Sequence, residues 1–278
     1  MIVDVHTHLP KVRETVADSK ADMVRNVRPD RAFKGNISWE EYREAMELVD
    51  RTIVFGIARG GENPNDETAA FASAHPDKVI GFMSVNPNDD HCIEEMERGA
   101  HDLGLKGIKL GPMYQDFHPL NKKAFAVYEK AQKLNLPIIF HQATSYPRTA
   151  PLKYAPPVLL EEVALAFPDL KMVIAHMGHP WYADTIVLIR KQPNVYGDIS
   201  ALFYRPWQYY NTLVLGMEYG QLPKLLFGTD YPVTTPEETL DGLRRINRIV
   251  EGTNLPRIPQ DAIEEIIHRD ALSLLGIE

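Results

Sequence analysis

One cysteine, Cys92, in a chain of 278 residues leaves no disulfide to form within it and points to a reducing compartment. Apolar runs of the ~20 residues that span a bilayer are absent. Met1 leads straight into Ile2-Val3-Asp4-Val5 with no basic n-region ahead of it. The expectation is a cytoplasmic protein without a membrane partner. Positive charge is scarce: 30 Lys and Arg stand against 38 Asp and Glu, a formal charge of −8, so no broad basic face is available for nucleic acid. Low-complexity tracts and short repeats are lacking as well. At this length a compact fold buries roughly three quarters of its unfolded surface, so a core forms without staples and a bound metal would serve chemistry.

What the chain does hold is a succession of apolar runs, each closed by a turn signal and followed by a helical pattern. Eight runs read as strands, at 2–8, 51–57, 79–85, 107–111, 137–141, 172–176, 195–200 and 225–230. Helical patterns fall at 39–49 behind a Ser38 cap, then at 66–74, 93–103, 122–134, 158–167, 182–190, 207–218, 237–250 and 260–275. Eight βα units in a chain near the ~250 residues usual for the architecture predict an α/β fold, a single (β/α)8 TIM barrel spanning 1–278 as one domain. A doubly wound sheet is the alternative, but its first strand would end in a Gly-rich phosphate turn, and this one ends in His6-Thr7-His8-Leu9-Pro10. The segments 9–37 and 142–157 are read as loops over the barrel mouth.

Several of these strands end on a polar residue that suits chemistry. Alternation sets Ile2, Asp4, His6 and His8 on one side of the first strand and Val3, Val5 and Thr7 on the other. With the branched side against helices, His6 and His8 turn into the barrel. His141, His176 and Asp230 close three further strands, and the carboxyl ends of barrel strands form one shared mouth. Four imidazoles and a carboxylate gathered there would be costly to desolvate without a cation. Such donors suit one divalent ion, zinc first, with manganese and iron as rivals.

In order and spacing, Asp4-Val5-His6-Thr7-His8, Gly107-Ile108-Lys109-Leu110-Gly111, Leu136-Pro137-Ile138-Ile139-Phe140-His141, His176-Met177-Gly178-His179-Pro180-Trp181, Asn194-Val195-Tyr196-Gly197-Asp198-Ile199-Ser200 and Phe227-Gly228-Thr229-Asp230-Tyr231-Pro232 resemble the amidohydrolase-related (amidohydrolase 2) branch of the metal-dependent amidohydrolases. That branch includes aminocarboxymuconate-semialdehyde decarboxylase and resorcylate-type decarboxylases. The resemblance implies a TIM barrel, one divalent metal at His6, His8, His141 and Asp230, and His176 as acid/base, with Asp230 also catalytic. Lys109 occupies the position where binuclear relatives carry a carboxylated lysine; here it is read as structural or substrate-facing.

Arg59 is a candidate clamp for a substrate carboxylate, and Trp181 a candidate stacking surface. His179 and His118 read as loop and rim residues, Asp198 as a hydrogen-bonded strand-end carboxylate, and Cys92 as inert. The stretch Phe203-Tyr204-Arg205-Pro206-Trp207-Gln208-Tyr209-Tyr210 reads as a homodimer contact or as a lid after the seventh strand. Two reactions use these parts: hydrolysis of a lactone, ester or amide, and non-oxidative decarboxylation of a small carboxylated molecule. The resemblance puts decarboxylation first. A catalytically silent, metal-holding barrel that binds a ligand is the alternative of another class.

Overall fold

The computed structural model describes residues 1–9, 28, 36–145 and 147–277. Parallel strands run in the order β1 (Val3–His8), β2 (Arg51–Phe55) and β3 (Val79–Gly81) in one sheet, and β4 (Met83–Ser84), β5 (Ile108–Leu110), β6 (Ile138–Phe140), β7 (Met172–Ile174), β8 (Val195–Asp198) and β9 (Leu225–Leu226) in a second. The predicted strand at 79–85 is thus divided between the two sheets. Phe82 bridges the halves, with its N–H donating to Val54 O (2.9 Å) while Met83 N–H donates to Gly107 O (2.8 Å). At the other seam Val5 N–H donates to Phe227 O (3.0 Å), Asp230 N–H to His6 O (2.7 Å) and His8 N–H to Tyr231 O (2.8 Å). These bonds join β1 to the chain beyond β9, and the expected (β/α)8 TIM barrel is the fold.

Helices follow the strands as predicted, with ends shifted by one to several residues. They are α1 (Trp39–Ala45), α2 (Asn65–Ala74), α3 (Cys92–His101), α4 (Lys122–Lys133), α5 (Glu161–Ala166), α6 (Tyr182–Lys191), α7 (Pro206–Glu218), α8 (Pro236–Arg244), α9 (Gln260–Ile267) and α10 (Ala271–Leu275). Ser38 caps α1 in a reciprocal box with Glu41, an arrangement contributing about 1 kcal/mol. Thr235 and Glu238 repeat it on α8, behind Pro236 at the first helical position. The single helix expected at 260–275 is two, because Asp270 leaves helical geometry and caps α10 through Ser273 N–H.

Two apolar layers result. Val54, Ile108, Leu110, Ile138, Phe140, Met172, Ile174 and Val195 pack outward with the helices. Ile53, Phe55, Ile80, Phe82, Ile139, Val173, Tyr196 and Leu226 pack inside, joined by Leu272 and Leu275 of α10. Val3 and Val5 belong to this inner layer as well, which corrects their predicted place against the helices. The cause is a break in register between Asp4 and Thr7: Asp4 pairs with Thr52, but Thr7 pairs with Val54, so β1 carries one extra residue. Thr7 faces the helix layer, its hydroxyl 2.9 Å from Tyr42 OH on α1.

Of the two loops expected over the mouth, positions 10–27 and 29–35 lie outside the described residues. The described residues of the second loop include short 3-10 turns, Leu152–Tyr154 and the start of Pro157–Leu160. Gln142 holds them in place by donating to Tyr154 O and Pro156 O. Among the described residues no helix is long and apolar enough to cross a membrane.

Candidate active site

Each strand delivers its site residue by a different local device. Ile108 and Leu110 face outward, so Lys109 between them faces the barrel interior and is fully buried. His141 follows the outward Phe140 and continues the inward parity of Ile139. The extra residue in β1 keeps Val5 inside and still turns both His6 and His8 inward.

His176 is not at the end of a strand as predicted. β7 stops at Ile174, and Ala175–Gly178 form a tight turn in which His176 (φ 55°) and Met177 (φ 49°) are left-handed. Outward parity would have carried His176 to the helices; the turn brings it within 4.7 Å of the His6 ring, centroid to centroid. Asp230 is left-handed too (φ 68°), four residues past the end of β9. Backbone of this kind costs roughly 1 kcal/mol or more per residue and persists where the surroundings over-determine it.

Three ligand-type atoms converge. Asp230 Oδ1 lies 2.9 Å from His8 Nε2 and 3.4 Å from His6 Nε2. Asp198, fully buried at the end of β8, sits behind them, with Oδ2 accepting from His6 Nδ1 (2.9 Å) and Oδ1 from the backbone N–H groups of His176 (3.0 Å) and Ser200 (3.1 Å) and from the Ser200 hydroxyl. The His6 proton is thereby fixed on Nδ1, leaving Nε2 with a free lone pair, and Lys109 Nζ donates to that atom at 3.3 Å. Ser200 Oγ also lies 2.7 Å from His176 Nδ1, which places the free lone pair of that ring on Nε2.

Asp4 fastens the two ligand-bearing segments to each other. It accepts from His6 N–H (3.0 Å), Thr229 N–H (3.0 Å) and Thr229 Oγ1 (2.6 Å). Rather than sharing the inward face with His6, as alternation suggested, Asp4 stands within β1 and reaches across to Thr229. Burial raises its pKa to about 7 against the lowering effect of those hydrogen bonds.

Burial is also the main reason His6, His141 and His176 are neutral. His6 and His176 are pushed well below the ordinary imidazole value, His6 with help from the Lys109 charge. His141 falls to about 3, through burial and then Lys109. Lys109 itself is lowered to about 8 by burial, partly offset by Asp198 and Asp230. Neutral imidazole is the form that ligates a metal.

The structure brings together His6, His8 and Asp230, whose donor atoms lie within 4.8 Å of one another, and in a second such set His6, His176 and Asp198. His141 joins neither set: its Nε2 lies 3.2 Å from both Tyr114 OH and Thr144 O, and its ring meets that of His176 at 5.1 Å. Arg59 is exposed, and its guanidinium has none of these groups as a partner. Trp181 is half-buried at the start of α6, without a ring contact to the cluster. His118 accepts from Leu120 N–H in a rim turn (3.1 Å). Cys92 is buried and its thiol is pushed up to about 12, away from nucleophilic use.

Asp198 is the hydrogen-bonded strand-end carboxylate expected from sequence, whereas its hold on His6, Ser200, Tyr114 and the Asp4–Thr229 fastening escaped assignment. The only signal was the polar end of Asp198-Ile199-Ser200, whose facing hangs on one residue of register.

A divalent ion fits the donor chemistry. His6 Nε2 turns its lone pair toward Lys109 Nζ, 3.3 Å away, and lies 3.4 Å from a carboxylate oxygen, and two electron-rich atoms held that close favour a cation shared between them. The nitrogen and oxygen donors suit zinc or manganese.

A family model described as amidohydrolase matches residues 3–277. Among curated proteins, a dihydroorotase from Helicobacter pylori is 31% identical over 133 residues, covering 45% of this chain and 38% of that protein. The chain therefore matches well under half the length of such relatives. Among solved structures, an uncharacterised TIM-barrel protein from Bordetella bronchiseptica superposes with a TM-score of 0.79 at 24% identity, covering 99% of this chain and 98% of the other. A dihydroxybenzoic acid decarboxylase from Polaromonas, solved with manganese and 2-nitroresorcinol, gives 0.70 at 16% identity, covering 99% and 96%.

Proposed function

The chain belongs to the amidohydrolase family, and from that premise we propose that it is a metal-dependent enzyme that decarboxylates a small carboxylated molecule without oxidation. The observation that carries this reading is the convergence of His6 Nε2 and His8 Nε2 on Asp230 Oδ1, at 3.4 and 2.9 Å. These three residues would hold one divalent ion, zinc or manganese, and His141 would complete the set by turning away from Thr144 O. Bound there, the ion supplies Lewis acidity that draws electron density toward a substrate oxygen. Manganese in the Polaromonas decarboxylase supports that choice of metal.

The protein's own groups supply orientation and proton movement. Asp198 holds His6 with its lone pair forward, and Ser200 does the same for His176. His176 Nε2, neutral because it is buried, accepts a proton from the hydroxyl of an enolic or phenolic substrate. As the bond between the ring or enol carbon and the carboxylate breaks, its electron pair stays on that carbon. Asp230 takes up the hydroxyl proton from His176 and delivers it there, carbon dioxide leaves, and the product oxyanion regains a proton from water. The inner apolar layer beneath, with Phe55 5.0 Å from the His6 ring, keeps water from the floor of the site.

The test is direct. Protein loaded with manganese or zinc is offered carboxylated phenols and enols, among them 2,6-dihydroxybenzoate, and carbon dioxide is measured; chelation by EDTA abolishes release. If lactones, esters or amides are hydrolysed and no carbon dioxide appears, hydrolysis replaces decarboxylation. If no compound of either kind reacts, the chain is a binding barrel.

A further inference from the structure

The mouth holds a cation whose position in sequence gave no hint of its use. Arg205 follows the loop after β8 and sits half-buried at the start of α7. Its Nη1 donates to Ala201 O at 3.0 Å. Ala201 is left-handed (φ 54°) and immediately follows Ser200, whose hydroxyl touches His176. One residue therefore separates the anchor of this guanidinium from the proton-handling machinery.

Beneath Arg205 lies Tyr204, with the guanidinium 4.4 Å from the ring centroid. A second guanidinium, that of Arg28, stands 5.1 Å from the same ring. The two arginines differ in what neutralises them. Arg28 is buried and paired with Glu238 at 3.1 Å. Arg205 has no carboxylate partner among the described residues. Its charge reaches inward, since it assists burial in lowering His179 to about 3, and the His179 ring meets that of His176 at 6.0 Å. Tyr204 in turn feels the Asp230 charge. A planar cation without a carboxylate partner among the described residues, anchored on Ala201 next to Ser200 and backed by an aromatic ring, suits a planar anion.

We propose that Arg205, supported on Tyr204, binds the carboxylate of the substrate and so sets its specificity for acids, the role that Arg59 held in the sequence reading. The assignment rests on the proposal that this mouth is the substrate site. Arg59, exposed in the turn after β2, is not needed for it.

The experiment is calorimetric titration of the manganese-loaded protein with two pairs of ligands, 2,6-dihydroxybenzoate with its amide and maleate with maleamide. Arg205→Gln is expected to weaken the acids about ten-fold or more, the worth of a charge-assisted hydrogen bond, while the amides change by less than two-fold. Arg205→Lys recovers part of the loss. Unchanged thermal midpoints for both variants show that the fold is intact. Equal weakening of acid and amide, unaltered acid binding, no binding of either acid by the wild-type protein, or the loss appearing in Arg59→Gln instead, overturns the proposal. Acid binding that depends on Arg205 without any carbon dioxide release leaves this assignment standing and removes the decarboxylase reading. Release that is indifferent to Arg205→Gln does the reverse.

Discussion

At the amino ends of the strands Val3, Ile53 and Ile80 close on Leu272 and Leu275 of α10, an apolar floor whose stability comes from area removed from water. At the carboxyl ends of the barrel strands, and in the turns just beyond them, stand His6, Lys109, His176 and Asp198, all buried, with the half-buried Asp230, held by directed hydrogen bonds. The floor keeps regular alternation and ordinary backbone. The mouth departs from both, through the extra residue in β1 and left-handed backbone at His176, Ala201 and Asp230. Packing tolerates many apolar substitutes, whereas a site must aim particular lone pairs, and the irregularities do that aiming. The floor should therefore govern stability and the mouth chemistry, with little exchange between them.

The sharpest way to break that division is Asp230→Asn. It should reduce turnover of the acid that the wild-type enzyme decarboxylates by about a thousand-fold, within the range for a lost acid–base group, while the thermal midpoint stays close to wild type. A collapse of the fold would show that the mouth also carries stability. The converse change, Leu275→Ala in the floor, should cost about 3 kcal/mol of unfolding free energy in urea titrations and leave manganese affinity within two-fold. A matching fall in affinity would show that the two ends are coupled.

Asp198→Asn sharpens the comparison within the mouth, because the buried carboxylate touches His6 and His176 without being a proposed ligand to the ion. Manganese affinity, read by calorimetry, should fall about ten- to hundred-fold, as when a group orienting a ligating histidine is lost. An unchanged affinity would mean that His6 is aimed by packing alone.

The smallest effect concerns pH. His141 and His179 are lowered from the ordinary 6.5 to about 3 by burial. Between those values the unfolded chain binds protons that the folded chain refuses, so stability contributed by these groups is present above pH 6.5 and falls as pH drops toward 3. His179→Gln removes its share and should flatten the decline of the urea midpoint between pH 6.5 and 5. Asp4, raised to about 7, acts in the opposite sense, losing stability as pH rises from 3.8 toward 7, but it is common to both proteins and cancels in the comparison. Identical slopes would show that His179 is protonated in the folded state.

Much of the fold was legible because the outward faces of the strands repeat with period two: Ile108 and Leu110, Ile138 and Phe140, Met172 and Ile174 all pack as alternation requires. The same rule, followed through the paired strands, accounts for Lys109 and His141 lying inside. It misplaced Val3 and Val5, because an inserted residue in a paired strand leaves no mark in a hydrophobic pattern. It gave His176 a strand it does not occupy, since Ala175-His176-Met177 carries no residue that announces a left-handed turn.

By itself the sequence determined the number of βα units, the outward apolar faces and the kinds of donor available, because these depend on local composition and periodicity. Only the tertiary structure decided that Asp198 stands behind His6, that Asp4 ties β1 to Thr229, and that Arg205 is anchored on Ala201, next to the Ser200 that holds His176. Those juxtapositions join residues far apart in the chain. Their distances follow from how the strands close around the barrel, which no local pattern records.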